Sequence, residues 1–419
     1  MWGSTLKGHL QGRVRFPTGG DSPRASRQTR CDSVTDSTVW MEEGGHMDHE
    51  PHMRRALALA AKGAGWVAPN PQVGAVVVRD GTIIAEGWHT AYGELHAERE
   101  ALASCARAGI DPSGATMYVT LEPCCHQGKQ PPCTQALIDA GIARVVVGSA
   151  DPNPLVAGKG VAALREAGIE VLEGVLADEC AALNRAWMHY ITHKTPYVTM
   201  KYAMTLDGKI ASCTGDSKWI TGSTARQHVH EGRAATAAIM VGVGTVLADD
   251  PLLSARPQGI ENPHQPARFV LDAQLRTPAD SQIALTAWEQ PTYIVCEPDA
   301  PASRREQLKD AGCKIWTMPA REGRIDLREL LRTMGEKGFQ DVTVEGGGQL
   351  HGSLLATGMV KRVQAYIAPK LIGGKAAPSP VEGAGIPMMD MALPLHETSV
   401  TQLGEDFLLE GFTFDEEVA

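Results

Sequence analysis

The chain has 419 residues, which exceeds the usual size of a single hydrophobic core and predicts two domains of ordinary length. Its formal net charge of −10 disfavours binding to a phosphate backbone, so a small molecule is the expected partner and nucleic acid is not. The nine cysteines are an odd number without regular spacing, which favours reduced thiols and a cytoplasmic protein. No stretch holds the roughly 18 consecutive apolar residues of a spanning helix, so no membrane partner is expected.

Residues 1–46 differ in composition from the rest of the chain. The segment "GRVRFPTGGDSPRASRQTRCDSVTDST" mixes Gly, Ser, Thr, Arg and Pro without periodicity, which predicts disorder. It lacks the apolar core of a secretory signal, and its acidic residues count against a transit peptide. We hypothesise that residues 1–46 are either a disordered extension or upstream of the true start at Met47. N-terminal sequencing of the native protein would contradict the second option if it found residues before Met47.

Residues 47–192 alternate between predicted helices and strands, which indicates a layered α/β domain. In chain order the predicted elements are the helix "MRRALALAAKGAG", the hairpin "VGAVVV" and "TIIAEG", a helix from His96 to Ala108, the strand "ATMYVTL", a helix from Cys133 to Ala140, the strand "ARVVVGSA", the helix "GVAALREAG", the strand "IEVLEG" and a single helix "ADECAALNRAWMHYIT". The polar segment "HKTPY" is a predicted linker.

Residues 196–419 resume the alternation and predict a second α/β domain. Its strand-centred segments are "YVTMKYAMTLDGKIA", "AAIMVGVGTVLADDP", "ARFVLDA", "PTYIVC", "CKIWTM", "DVTVEGGGQLHGSLLATG", "KRVQAYIAPKLIGG" and "FLLEGFTF". Two of these segments place a glycine turn between a strand and a helix, where backbone N–H groups can bind a phosphate. Such turns are common, so this signal is weak alone.

A metal site is predicted where "HAERE" and "LEPCCHQGKQPPC" come together. Catalytic zinc sites offer three protein ligands and leave one position to water, and His96, Cys124 and Cys133 can supply them. Glu98 points to another side of the helix and suits proton transfer better than ligation. Two prolines fix the approach to a helix beginning near Cys133, whose positive end favours a thiolate.

Two alternatives to this ligand set stay open at the level of sequence. Cys125 and His126 could be ligands instead, although the side chains of adjacent residues diverge in an extended chain. A structural zinc site would use four protein ligands, and His126 could be the fourth.

The sequence resembles a known family over both halves. His-x-Glu followed by Pro-Cys and a second Cys is typical of zinc nucleobase deaminases. With "GWHTAYGELHAE" and "APNPQVGAVV", the first half resembles the deaminase domain of the bifunctional deaminase and reductase family of bacterial riboflavin biosynthesis. The second half resembles the reductase domain of that family through "MKYAMTLDGKIA", "GDSKWITG", "GVGTVLADDPLLSAR" and "VEGGGQLHGSLL".

The resemblance implies a fold, two activities and two cofactors. The fold is a cytidine-deaminase-like three-layer α/β/α domain followed by a dihydrofolate-reductase-like α/β domain. The first activity is Zn²⁺-dependent hydrolytic deamination of 2,5-diamino-6-ribosylamino-4(3H)-pyrimidinone 5′-phosphate, with Glu98 moving the protons. The second is NADPH-dependent reduction of the ribosyl side chain to ribityl. The resemblance also implies a homodimer.

The resemblance further implies binding residues by position. In the first half Asn70, His89 and Lys129 match substrate-binding positions. Residues that match cofactor-binding positions in the second half are Ala203, Trp219, Thr245, Asp249, Gly347, Gly348, Gln349, Leu350, His351, Gly352 and Ser353. Those that match substrate-binding positions are Ser217, Arg233, Leu253, Arg256 and Glu345, while Lys201 and Asp207 are candidates for handling the sugar and its protons.

Several of these residues also have a structural interpretation. Asn70 precedes a proline as a turn residue would, and His89 could be a polar residue that ends a strand. Lys201 and Asp207 could form an ion pair or a turn contact, because "LDGK" has the composition of a tight turn. Trp219 could be a core aromatic residue.

Two other functions are considered. One is a cytidine or tRNA-adenosine deaminase with an unrelated second domain, which the acidic charge and the long Cys-to-Cys spacing disfavour. The other is a zinc-stabilised binding protein without catalysis, which the presence of Glu98 disfavours, because a structural zinc does not require that carboxylate.

Overall fold

The computed structural model describes residues 48–128, 130–321 and 323–413. The predicted disorder of residues 1–46 and the proposed start at Met47 lie outside this range, as does Lys129. Among the described residues no helix combines the length and the apolar character needed to cross a membrane.

Within the described residues, the first α/β region contains five strands and six α-helices. In chain order they are α1 (Glu50–Ala60), β1 (Gly74–Arg79), β2 (Thr82–Trp88), α2 (Ala97–Ala108), β3 (Thr116–Leu121), α3 (Cys133–Asp139), β4 (Arg144–Ser149), α4 (Lys159–Glu166), β5 (Glu170–Glu173), α5 (Ala177–Leu183) and α6 (Arg185–His193). The strands form one sheet in the order β2-β1-β3-β4-β5. β3, β4 and β5 run parallel, whereas β1 is antiparallel to both of its neighbours.

This sheet is covered by helices on both faces. On one face Ala75 and Val77 of β1 belong to a cluster with Ala101 and Cys105 of α2. On the other face the alternate residue Val76 belongs to a cluster with α1 and α5 residues. Because successive side chains of a strand point to opposite faces of the sheet, β1 packs against helices on both sides. The result is the three-layer arrangement that the resemblance implied.

The predicted elements of this region are found, with one difference. The hairpin turn is made by Asp80 and Gly81, both with positive φ, as a two-residue turn between twisted strands requires. The single helix predicted for residues 177–192 is wrong, because α5 and α6 are separate and meet at Asn184. The Asn184 side chain forms two hydrogen bonds of 2.8 Å with the backbone of Gln72, which holds this residue out of helical geometry.

The second α/β region is built on a nine-stranded sheet. Its elements are β6 (Tyr197–Thr205), α7 (Ser223–Ala235), β7 (Ala238–Gly242), α8 (Val243–Asp249), β8 (Ala267–Leu271), α9 (Gln282–Leu285), β9 (Thr292–Cys296), α10 (Ala302–Asp310), β10 (Lys314–Thr317), β11 (Ala320–Arg321), β12 (Arg324–Ile325), α11 (Leu327–Glu336), β13 (Asp341–Val344), α12 (Gly348–Leu355), β14 (Val360–Ala368), β15 (His396–Leu403) and β16 (Asp406–Phe412). The strand order is β10-β9-β8-β7-β13-β6-β14-β16-β15, and β11 pairs with β12 as a separate hairpin.

Parallel pairing runs from β10 through to β14, and β16 is antiparallel to both of its neighbours. The carboxyl ends of the parallel strands meet at one edge of the sheet, which is where open α/β sheets bind ligands. The turns after β7 and β13 are the two glycine turns noted in the sequence, and they lie at this edge.

Candidate metal centre and reductase cleft

Three different elements bring the predicted metal ligands together. His96 is the residue before α2, Cys124 lies in the loop after β3, and Cys133 is the first residue of α3. Their ligand atoms all lie within 4.8 Å of one another. They form the only group of three or more potential metal ligands found within residues 48–128, 130–321 and 323–413.

The distances in this group fit a zinc ion. His96 Nδ1 lies 3.6 Å from Cys124 Sγ and 3.4 Å from Cys133 Sγ. Tetrahedral zinc with ordinary Zn–N and Zn–S bonds separates its nitrogen and sulfur ligands by roughly 3.5 Å. The soft sulfurs and the imidazole also match the ligand preference of zinc, so the donor set can hold this metal without rearrangement.

The electrostatics of the centre favour a metal-binding thiolate. Hydrogen bonding with Cys133 lowers the pKa of Cys124 to about 4, and His96 contributes in the same direction. Glu98 is only 3% exposed, and its burial raises the pKa of its carboxyl group above the ordinary value. A carboxyl group with a raised pKa beside a metal centre suits proton transfer near neutral pH.

The alternative ligands are not part of this group. The Cys125 thiol lies 3.8 Å from the carbonyl oxygen of Leu155. His126 lines the adjoining cavity, and within the described residues its Nδ1 has no hydrogen-bond partner. The structure therefore places a three-ligand centre beside a cavity.

The two prolines before Cys133 are held in place by the helix that carries Glu98. Arg99 of α2 donates hydrogen bonds of 3.1 and 2.9 Å to the carbonyl oxygens of Pro131 and Pro132. Cys133 N also lies 3.4 Å from Cys124 Sγ. These contacts fix the sulfur positions relative to His96, which is the role that the sequence assigned to the prolines.

A cavity of about 270 Å³ opens beside the metal centre. Asn70 and His89 both line it, and Asn70 Nδ2 lies 3.0 Å from His89 Nε2. The other ring nitrogen of His89 lies 2.9 Å from the Leu95 carbonyl oxygen, so the imidazole is oriented from both sides. The loop that would carry Lys129 is described only up to its neighbours, Gly128 and Gln130, which also line this cavity.

Two polar residues of this cavity escaped the sequence analysis. Asp151 and Asn153 follow β4 and line the cavity beside Cys124. Burial raises the pKa of Asp151 to about 6, and its carboxylate accepts a 2.7 Å hydrogen bond from the Asn153 backbone. The parallel pairing of β3 with β4 places both loops at the same edge of the sheet. The sequence feature that could have identified both residues is the polar segment "DPNP", which directly follows a predicted strand.

A second cavity of about 630 Å³ lies at the carboxyl edge of the nine-stranded sheet. The residues predicted for the reductase site that line it are Lys201, Ala203, Ser217, Trp219, Arg233, Thr245, Asp249, Leu253, Arg256, Glu345, Gly347, Gly348 and His351. Trp219 is 65% exposed, so it is not the core aromatic residue that the sequence left as an alternative.

Buried ion pairs cross the floor of this cavity. Glu345 accepts two hydrogen bonds, of 2.8 and 2.7 Å, from Arg233, and Lys201 Nζ lies 3.4 Å from the same carboxylate. Burial lowers the pKa of Lys201 despite this carboxylate. Ser217 donates a 3.1 Å hydrogen bond to Asp249. The cavity thus contains a polar, charged floor suited to a sugar or phosphate.

The glycine turns leave room for a phosphate to approach the backbone. At Gly346 no atom lies within 4 Å of the position that a Cβ would take, and at Gly347 the nearest is Thr245 Oγ1 at 3.7 Å. In contrast, a Cβ at Gly352 would lie 1.7 Å from the Glu382 carbonyl oxygen. Gly347 therefore faces open space at the amino end of α12, whereas Gly352 permits close packing. This arrangement fits the pyrophosphate of a dinucleotide.

Five of the predicted reductase-site residues do not line this cavity. They are Asp207, Gln349, Leu350, Gly352 and Ser353. The Asp207 carboxylate accepts hydrogen bonds from the Thr205 hydroxyl and from the Ile372 and Gly373 amides, which lower its pKa to about 2. These contacts favour the alternative interpretation of Asp207, in which its carboxylate stabilises a turn.

Family models match both α/β regions. Residues 46–149 match the cytidine and deoxycytidylate deaminase zinc-binding region, which includes the three ligands and Glu98. Residues 196–409 match the RibD C-terminal domain. Riboflavin biosynthesis protein RibD of Actinobacillus pleuropneumoniae is 52% identical over 359 residues, which cover 86% of this chain and 94% of that protein. The chain belongs to the RibD family. The Escherichia coli RibD protein is 40% identical over 344 residues, which cover 79% of this chain and 90% of that protein.

Solved structures of RibD proteins agree with the fold. A Thermotoga maritima protein described as a diaminohydroxyphosphoribosylaminopyrimidine deaminase and 5-amino-6-(5-phosphoribosylamino)uracil reductase aligns with a TM-score of 0.77 at 37% identity, covering 87% of this chain and 98% of that chain. Acinetobacter baumannii RibD aligns with the same TM-score and identity, covering 87% and 99%. The resemblance and the fold class predicted from the sequence are thereby confirmed. The match to the RibD C-terminal domain also argues against an unrelated second domain.

Proposed function

We propose that this chain, as a bifunctional deaminase and reductase of riboflavin biosynthesis, deaminates 2,5-diamino-6-ribosylamino-4(3H)-pyrimidinone 5′-phosphate at the His96, Cys124 and Cys133 centre and then reduces the product in the second cavity. Zn²⁺ and NADPH are the two cofactors. The observation that carries the proposal is the convergence of three soft ligands on a buried carboxyl group, within a chain that also matches the RibD C-terminal domain.

The first reaction replaces the ring amino group by oxygen. His96, Cys124 and Cys133 would hold a zinc ion, which would supply a nucleophile near neutral pH by lowering the pKa of bound water. Glu98 would accept a proton of the water as the water oxygen bonds to the ring carbon and pass it to the adjacent ring nitrogen. It would then carry the second water proton to the amino nitrogen. The carbon–nitrogen bond breaks and ammonia leaves. The burial of Glu98 keeps this proton away from solvent during the transfer.

The ring and its phosphate need polar partners in the first cavity. Asn70 and His89 both line the cavity, and we propose that the Asn70 amide, which His89 orients, presents hydrogen-bonding groups to the pyrimidine. We propose the same role for Asp151 and Asn153, which line the opposite loop. We propose that Lys129 binds the substrate phosphate, because it matches a substrate-binding position of the family motif.

The second reaction opens the ribosyl ring to an imine and reduces it at C1. NADPH supplies the hydride. We propose that Lys201, which lines this cavity and whose pKa is lowered by burial, gives the proton that the nitrogen gains. Arg256 suits the substrate phosphate because a guanidinium can bind a phosphate in bidentate fashion, whereas Arg233, which donates two hydrogen bonds to Glu345, contributes positive charge beside it.

The proposal is tested with purified, zinc-loaded protein and the diaminopyrimidinone phosphate, with and without NADPH. We expect ammonia release without NADPH, followed by stoichiometric NADPH oxidation and formation of the ribityl product when NADPH is added. The measurements are ammonia, absorbance of NADPH and product mass. Ammonia release from tRNA or cytidine in place of this substrate would favour the other deaminase classes, and a folded, zinc-loaded protein without either activity would favour a binding protein.

We also propose that the chain forms a homodimer through the outer strand β15. Every residue of β15 from 396 to 402 is exposed, and the residues before it include Met389 and Met391 at 89% and 61% exposure. An outer strand offers backbone groups to a second copy, and apolar side chains beside it add buried area. Cytoplasmic location is proposed because none of the eight described cysteines forms a disulfide, and cell fractionation tests it.

Light scattering after size-exclusion chromatography tests the dimer. We expect a mass of two chains for the native protein and of one chain for Val400→Lys, because a lysine on an outer strand opposes strand pairing. Ammonia release by the variant serves as the control for folding. A native protein with the mass of a single chain would contradict the proposed dimer.

A further inference from the structure

Residues 250–256 border the second cavity, the reductase cleft, and have no regular secondary structure. Leu253 and Arg256 of this segment match substrate-binding positions of the family, and both line the cleft. The segment contains two left-handed residues other than glycine, Asp250 with φ of 40° and Leu253 with φ of 51°. Such residues keep this conformation only where the surrounding structure holds it. The shape of the segment therefore depends on contacts from outside it.

Four side chains from other parts of the chain hold the backbone of residues 252–255. Each of the four forms a hydrogen bond with a different residue of this stretch. Arg268 bonds Leu252 at 2.9 Å, Gln290 bonds Leu253 at 3.3 Å, Arg233 bonds Ser254 at 3.2 Å, and Gln265 bonds Ala255 at 2.8 and 2.9 Å. Because every residue of the stretch has its own partner, the surrounding side chains impose the conformation of the segment.

Gln265 bonds both backbone groups of Ala255. Its Oε1 accepts a 2.9 Å hydrogen bond from the Ala255 amide, and its Nε2 donates a 2.8 Å hydrogen bond to the Ala255 carbonyl oxygen. A side chain that bonds both groups fixes the peptide units on either side of a residue, as a neighbouring strand does in a sheet. The next residue is Arg256, whose side chain lines the cleft. Gln265 therefore fixes the backbone from which the Arg256 guanidinium extends.

The loop that carries Gln265 lies against the first α/β region. The ring of Trp66, in the turn after α1, is T-shaped to the ring of His264, with the ring centroids 5.5 Å apart. A Cβ at Gly65 would lie 2.2 Å from the carbonyl oxygen of Ala234 and 2.8 Å from His264 Nδ1, so the two regions approach closely there. Each contacted residue is the direct chain neighbour of a side chain that holds the segment. The first α/β region thus contacts two of the four supports.

We propose that Gln265 is a positioning residue of the reductase site, which holds Ala255 so that Arg256 faces the substrate phosphate, and that Trp66 of the first α/β region holds the loop of Gln265. The inference rests on the proposed reductase function and on the proposed contact of Arg256 with the phosphate. Gln265 does not line the cleft, so it acts on the substrate only through Arg256. Substrate binding by the reductase half then depends on the presence of the first α/β region.

The test replaces Gln265 by Met, which has a similar length but forms neither hydrogen bond with Ala255. Steady-state kinetics of the full chain with NADPH and the deaminated intermediate measure KM and kcat. KM should rise about 10- to 100-fold, because two hydrogen bonds that fix the backbone before Arg256 are lost. The value of kcat should change less than about threefold, since the groups at the reacting carbon stay in place. With the dephosphorylated intermediate, kcat/KM should change less than about threefold, because Arg256 has no phosphate to bind.

Trp66 provides a second variant that does not disturb a buried core, because this residue is 48% exposed. Trp66→Ala should raise KM for the phosphorylated intermediate about two- to tenfold, the usual contribution of an aromatic pair. Trp66→Phe keeps a ring against His264 and should restore most of the native KM. Equal KM values for the two variants would overturn the role of Trp66.

Gln307→Met is the matched control, because Gln307 is exposed on α10 and does not line the cleft. Both kinetic constants should be unchanged in this variant. The positioning role of Gln265 is overturned if Gln265→Met keeps the native KM, or if the phosphorylated and dephosphorylated intermediates are affected equally. A native protein that reduces neither form would reject the reductase function and the positioning role with it. An active native protein whose KM is unaltered by Gln265→Met would reject the positioning role alone.

Discussion

Replacement of Glu98 by Gln is expected to lower the rate of ammonia release by about 10²- to 10⁴-fold, the usual contribution of a positioned acid and base. The glutamine side chain would keep the shape of the glutamate but could not accept the proton of the attacking water. The variant should retain its zinc, because the three ligand atoms belong to His96, Cys124 and Cys133. Ammonia release and the zinc content of the protein are the two measurements.

The reductase half provides the internal control for this variant. NADPH oxidation with the deaminated intermediate as substrate should be unchanged, since Glu98 lies in the first α/β region. Ammonia release within tenfold of the native rate would contradict the assigned role of Glu98. Loss of both activities together would instead indicate a folding defect, which the circular dichroism spectrum of the variant would reveal.

The sequence predicted those parts of the fold whose signal is local. The hairpin of β1 and β2, and the buried strand β4, follow from apolar runs bounded by turn residues. The break at Asn184 could not be predicted in this way, because it depends on hydrogen bonds with Gln72, which is 112 residues away in the chain. β15 was missed because "HETSVTQL" is polar and exposed on both faces, so it has no alternation to detect.

The same distinction applies to the two sites. The metal ligands were predicted because their spacing belongs to a recognisable motif. Asp151 and Asn153 join them only through the parallel pairing of β3 with β4, which a single sequence does not reveal.

Replacement of Glu345 by Gln is expected to have the largest effect on stability. Glu345 is 7% exposed, and its carboxylate pairs with Arg233 and Lys201, which are themselves 14% and 13% exposed. Removal of the shared anion leaves two buried cations without compensation, which costs about 3–5 kcal/mol of the free energy of unfolding. Urea denaturation at pH 7 measures this change. Reductase activity should fall by at least about 10²-fold, because Arg233 and Lys201 lose their fixed positions.

The stability difference between the native protein and Glu345→Gln should depend on pH in a defined direction. Burial alone would raise the pKa of Glu345, but Arg233 and Lys201 outweigh burial and hold the pKa below its ordinary value of 4.5. Because the folded-state pKa is lower than the unfolded-state one, the ionised carboxylate stabilises the fold fully above pH 4.5 and progressively less as the pH falls through the folded-state pKa. The difference should therefore be complete at pH 7 and should decrease below about pH 4.5.

A surface ion pair of the same chemistry separates burial from charge as the cause. Arg165 and Glu173 lie 2.7 Å apart, but their side chains are 53% and 45% exposed. Glu173→Gln should cost less than about 1 kcal/mol, because water already solvates both groups. Equal losses in the free energy of unfolding from the two substitutions would mean that burial does not strengthen the ion pairs of Glu345. A much larger loss from Glu345→Gln would show that the cleft floor depends on one buried anion, which holds Arg233 and Lys201 in position.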